Sequence, residues 1–144
     1  MSFLANGRVP RARLDPIVRV DQALAVFRLA MCHPLSPETL VMFLDNNNCG
    51  HELVSVSGTT EPFHVIDVAS TMALCAAANE DMSALVLATI RPGGGLLAGD
   101  DELWFEAADT VEESGLVLID WLIIGRGGVH SPRDYLGIPS RWAA

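Results

Sequence analysis

Two stretches of this chain carry apolar side chains at both odd and even positions: Leu85-Val-Leu-Ala-Thr-Ile90 and Leu116-Val-Leu-Ile-Asp-Trp-Leu-Ile-Ile124. A strand that is apolar on alternate residues needs cover on one face only. A strand apolar at every position must be covered on both. These two runs therefore predict central strands of a sheet with helices on each side, a three-layer α/β arrangement. The chain can bury such a core, because 144 residues fit one domain and 50% of them are hydrophobic. No run of 18 uncharged apolar residues occurs, and Met1–Arg8 lacks a basic start followed by a long apolar stretch, so neither a spanning helix nor a secretory leader is expected.

The other elements follow from periodicity and punctuation. Residues 1–20 hold Pro10, Pro16 and Gly7 without helical spacing and read as a flexible, arginine-containing arm. Asp21 is a suitable N-cap for a helix through Cys32, with Leu24, Phe27 and Met31 on one face, and Pro34 and Pro37 end it. Leu40–Leu44 and His51–Ser57 form a hairpin around Asp45–Gly50. Ile66–Asn79 is a helix whose Ala69, Ala73, Ala76 and Ala77 permit close approach to a sheet. Asp100–Ser114 is a second one, with Leu103, Ala107 and Val111 turned inward. Gly127-Gly128 leads into a short edge strand near Val129–Ser131. The expected division is an arm at 1–20, an added helix and linker at 21–36, a main domain at 37–138 and a tail at 139–144.

Charge narrows the function. Nine basic residues, all arginine, face 18 acidic ones, for a net charge of −9. Without lysine there is no Schiff base and no P-loop amine. The acidity argues against a nucleic-acid partner, since phosphate neutralisation needs clustered cations. Asp100–Glu113 holds seven acids and no base, a face suited to a partner protein or to self-association. Three cysteines, Cys32, Cys49 and Cys75, in a chain that needs no disulfide suit a reducing, cytoplasmic location.

Several ordered motifs resemble the RadC-like branch of the JAB/MPN (JAMM) metallopeptidase family. Leu40-Val-Met-Phe-Leu-Asp-Asn-Asn-Asn is similar to the family's first strand and turn. Val54-Ser-Val-Ser-Gly58-Thr is similar to its second strand, and Phe63-His-Val-Ile-Asp-Val-Ala to the start of its first helix. The best match is Gly115-Leu-Val-Leu-Ile-Asp-Trp-Leu-Ile-Ile-Gly125-Arg-Gly-Gly-Val-His-Ser131. The resemblance runs from about Pro37 to Leu136. It implies a three-layer α-β-α, cytidine-deaminase-like domain with a mixed sheet of about five strands.

It also implies a site, and here the chain departs from the family. JAMM enzymes hold zinc with His-x-His-Pro, a helical Asp and water activated by an upstream Glu. This chain reads Thr89-Ile90-Arg91-Pro92 at that place. The helical acid corresponds to Asp101 or Glu102, with Asp100 a worse fit, and the upstream one to Glu38. A catalytic zinc needs three protein ligands and an open position, and two lost imidazoles leave one carboxylate. The expectation is a noncatalytic binding or scaffold module with no cofactor and no metal, whose degenerate cleft comprises Thr89, Arg91, Asp101, Glu102 and Glu38. Arg91 either replaces the metal's charge by pairing with Asp101 or Glu102, or points to water. Two rivals stand beside this reading. One is a metal-dependent isopeptidase with unorthodox ligands, such as Cys49 and His51. The other is an anion or small-ligand sensor using Arg91 and Gly93, Gly94 and Gly95. Asp120, inside an apolar strand, is either hydrogen-bonded in the core, the favoured reading, or directed into the site region, and Trp121 is expected to pack.

Overall fold

The computed structural model describes residues 9–143. Nine elements follow one another: α1 (Val20–Ala30), β1 (Glu38–Asp45), β2 (Gly50–Ser57), α2 (His64–Ala77), β3 (Met82–Ile90), α3 (Asp100–Glu112), β4 (Val117–Gly125), β5 (Gly128–His130) and α4 (Pro132–Tyr135). The five strands make one mixed sheet in the order β2-β1-β3-β4-β5. β3 is central. It runs antiparallel to β1, with Glu38 opposite Ile90, and parallel to β4, with Leu87 opposite Trp121. The two doubly apolar runs thus lie side by side in the middle of the sheet.

Strand alternation sends successive side chains to opposite faces. Val41, Phe43, Leu85, Leu87, Trp121 and Ile123 meet the alanine-rich face of α2 and the Trp104, Ala107 and Val111 face of α3. Leu40, Met42, Val86, Ala88, Leu122 and Ile124 meet Ala23, Phe27 and Met31 of α1. α1 is therefore the third layer, without which one face of the sheet would meet water, and it ends at Ala30, two residues before the expected Cys32. Its N-cap is Arg19, two residues before the expected Asp21: the Gln22 carboxamide oxygen accepts from the Val18 and Arg19 N–H groups at 2.8 and 3.2 Å and closes the first turn.

The arm expected at 1–20 needs correction in its second half. Residues 1–8 lie outside the described residues. Beyond them, Arg13 N–H donates to the Gly50 carbonyl at 2.9 Å and Ile17 N–H to that of Asn48 at 2.7 Å. Ile17, 3% exposed, is the anchor: an isolated aliphatic side chain finds the core beside Met31 and Met42. α4 had not been anticipated. Its signal is Ser131-Pro132-Arg133-Asp134, with the Ser131 hydroxyl accepting from Asp134 N–H and proline at the first helical position. No helix among the described residues is long and apolar enough to cross a membrane.

Candidate functional site

The site lies where the parallel strands β3 and β4 end, beside the Arg91–Gly99 loop. Arg91 N–H still bonds to the Ile124 carbonyl at 2.9 Å, after which Pro92 and three glycines carry the chain away. The loop folds back onto β4 at Gly125. A Cβ there would stand 2.5 Å from the Gly94 carbonyl oxygen and 2.6 Å from that of Arg91, so only glycine fits.

Arg91 turns inward and takes the Asp100 carboxylate in both hands. One terminal nitrogen is 2.7 Å from Oδ2 and the other 2.8 Å from Oδ1, and the first also donates to the Gly95 carbonyl at 3.2 Å. The side chains are 13% and 3% exposed. Asp100 Oδ2 accepts from Leu97 N–H as well, at 2.6 Å, so one carboxylate closes the loop and starts α3. Arg91 also lies over the Trp121 ring, 5.8 Å from its centroid.

The partner is thus Asp100, not Asp101 or Glu102. Asp100 is the first residue of α3 and faces back into the loop. Each following residue turns by about 100°, which carries Asp101 and Glu102 out to solvent.

Thr89 is buried beneath the pair. Its hydroxyl accepts from the Trp121 indole N–H at 2.9 Å and lies 3.3 Å from the Thr39 hydroxyl, which in turn is 2.9 Å from that of Thr59. This threonine chain crosses from β3 to β1 and on to the loop after β2. Sequence reasoning missed Thr39 and Thr59 as site residues: Thr39 stands at the start of an apolar strand and Thr59 follows a loop glycine, and neither position has a periodic signal.

Glu38 does not join the cleft. It shares strand parity with Leu40 and Met42, the residues that face α1. Its carboxylate accepts from Cys32 N–H at 2.9 Å and the Ser55 hydroxyl at 2.7 Å. It closes the α1–β1 connection on the other face of the sheet from Thr89.

Gly93 and Gly94 are exposed, and the Gly94 N–H is taken by the Arg91 carbonyl. The Gly95 Cα is pressed against the His130 ring, where a Cβ would come within 2.9 Å. The loop, the end of β3 and the Thr59–Glu61 segment enclose a groove of about 390 Å³. The guanidinium that an anion would need is already engaged by Asp100 and Gly95.

Asp120 is wholly buried and holds the end of the chain. Its carboxylate accepts from the Ser131 hydroxyl at 2.7 Å, Trp121 N–H at 2.9 Å, the Trp142 indole at 2.9 Å and Arg133 at 3.3 Å.

Cys49 and His51 sit at the far end of β1 and β2. His51 Nε2 is 2.7 Å from Asp45 Oδ2, while Asp45 Oδ1 accepts from the N–H groups of Asn47 and Cys49 at 2.8 and 3.0 Å. Burial opposes ionisation of Asp45, but these donors together outweigh it and hold the carboxyl below the ordinary carboxylate value. Burial, then the Asp45 and Asp15 carboxylates, push the Cys49 thiol up, the reverse of what a metal-ligating thiolate needs.

A zinc ion does not fit the residues at the Arg91 end: a threonine hydroxyl is a poor ligand and already bonded, and a guanidinium repels a cation. Among the described residues, no three of His, Cys, Asp and Glu gather where they could hold a metal ion. No family model matches the chain, and no curated protein matches it.

Proposed function

We propose that this chain is a metal-free, noncatalytic domain of the RadC-like JAB/MPN type that works by binding another protein. The α/β architecture with a five-stranded mixed sheet is compatible with that fold. The observation that carries the proposal is the bidentate Arg91–Asp100 pair, buried at the head of the loop that the resemblance likens to the family's zinc site. It puts a positive charge at that end of β3, held by the Asp100 carboxylate and not by Asp101 or Glu102, and it does so without an exchangeable water. A guanidinium cannot generate hydroxide, so the pair closes the loop and leaves no hydrolytic centre. What remains for such a domain is recognition, and the exposed acidic surface of α3 supports a protein as its object.

Elemental mass spectrometry on untagged protein purified without chelator tests this. The expected zinc content is below about a tenth of an equivalent per chain. A value near one equivalent, or hydrolysis of an isopeptide-linked substrate, would overturn the reading.

A further inference from the structure

Three grooves meet around the short loop that leads into α3. The first, about 390 Å³, has been described at the glycine loop. The second, about 350 Å³, runs from Leu96 and Leu97 to Pro132 and Tyr135. The third, about 460 Å³, lies between Pro62 and Phe63 before α2 and Leu103 of α3. Leu97 lines the first two and Gly99 the second and third, so they form one continuous surface. Large apolar side chains stand proud on it: Phe63 is 56% exposed, Leu97 49% and Tyr135 78%. Isolated exposed apolar residues are ordinary, but several gathered around joined grooves mark a binding surface.

The charge on this surface has one sign. Glu61, Asp101, Glu102 and Glu106 line the grooves, and the only cation among their lining residues, Arg91, is neutralised by Asp100. An acidic rim around apolar depressions is complementary to a cationic segment with apolar anchors and repels an acidic one.

We infer that the end of the domain around Leu97 docks a basic, amphipathic segment of a partner protein, with apolar side chains entering beside Phe63, Leu97 and Tyr135 and arginine or lysine meeting Glu61, Asp101, Glu102 and Glu106. The inference rests on the protein-binding reading above and names the chemistry of the partner. A small anion does not suit the surface, because the rim carries its own charge.

The test is selection of a random-peptide display library on the full chain, followed by fluorescence anisotropy with the peptides recovered. These peptides are expected to be cationic with leucine or aromatic anchors, and their binding is expected to weaken as salt is raised. Phe63→Ala and Tyr135→Ala are each expected to lower affinity about tenfold, the scale of an exposed aromatic anchor. Both side chains are largely in water, so an unchanged melting temperature accompanies the loss. Glu102→Gln is expected to weaken binding several-fold. Glu80→Gln, at the opposite end of the sheet, is expected to leave it unchanged. Recovery of acidic or neutral peptides, of none, or of peptides indifferent to Phe63→Ala and Tyr135→Ala overturns the inference. So does equal weakening by Glu80→Gln, which would mean general acidity alone attracts the peptide. Zinc measured on the same preparation separates the outcomes: peptide failure with metal-free protein sinks the docking surface alone, whereas stoichiometric zinc sinks the reading beneath it.

Discussion

A guanidinium gripping a carboxylate that is 3% exposed cannot be removed without leaving a buried charge unpaired. Arg91→Ala is therefore expected to lower the free energy of unfolding by about 3 kcal/mol in chemical denaturation, because Asp100 keeps only the Leu97 N–H. Asp101→Asn, one residue along and exposed, is expected to change it by less than about 0.5 kcal/mol. Equal effects of the two would contradict the assignment of Asp100 as the partner. The pair shows how far single residues were legible. Arg91 and Thr89 stood out in the sequence because the resemblance to JAB/MPN metallopeptidases sets them against that family's two histidines. The choice among three consecutive acids was not legible, since it depends on which residue begins the helix, and helix starts shift by a residue or two. Glu38 was misplaced for a different reason. Alternation fixes only that it faces away from Thr39, and which face holds the cleft emerges only when α1 is seen to cover the other.

Elements were easier to read than residues. β3 and β4 were plain because a strand apolar at every position has one stable setting, and the two turned out to be neighbours in the parallel part of the sheet. α4 is too short for periodicity to show it, whereas β5, also short, was legible from the Gly127-Gly128 turn that leads into it. The β1–β2 turn was legible as a turn, but not as a pH-sensitive one. Asp45 braces it through the Asn47 and Cys49 N–H groups and His51. Its carboxyl lies lower folded than unfolded, because those donors prevail over burial. A group of that sign contributes stability that is fully present above its unfolded value, near 3.8, and that is lost as pH falls through the folded one. Unfolding followed from about pH 6 down to about pH 3 should therefore show the wild-type chain losing stability faster than Asp45→Asn at the acid end. At neutral pH the wild type should be the more stable of the two. Parallel curves would show that the turn does not depend on an ionised Asp45.

At the scale of the whole molecule, both ends of the described chain are tied to the sheet. The sequence suggested free ends because neither has periodic structure, and proline and glycine punctuate them. What periodicity does not register is a single side chain inserted at long range. Ile17 does this at one end. At the other, Trp142 reaches the buried Asp120, and Arg141 bonds to the Leu118 carbonyl at 3.1 Å while lying 5.5 Å from the Trp104 ring centroid. Of the tail expected at 139–144, residue 144 lies outside the described residues, and Arg141 and Trp142 form a strap across the first half of β4. Its Arg141–Glu112 pair is substantially exposed and adds little. The indole bond to Asp120 matters more, since Asp120 is wholly buried and the remaining donor to the same oxygen, Arg133, is 3.3 Å away. Removing the chain from residue 139 onward is expected to cost about 2–3 kcal/mol, from the lost indole bond and the cation–π contact with Trp104. Trp142→Phe keeps a ring in place but withdraws the N–H, and should cost about 1 kcal/mol. Measured together by denaturant unfolding, the two values divide the strap into its packing and its hydrogen bond. If truncation leaves the midpoint unmoved, the strap does not stabilise the sheet and Asp120 is satisfied by Ser131, Trp121 and Arg133 alone.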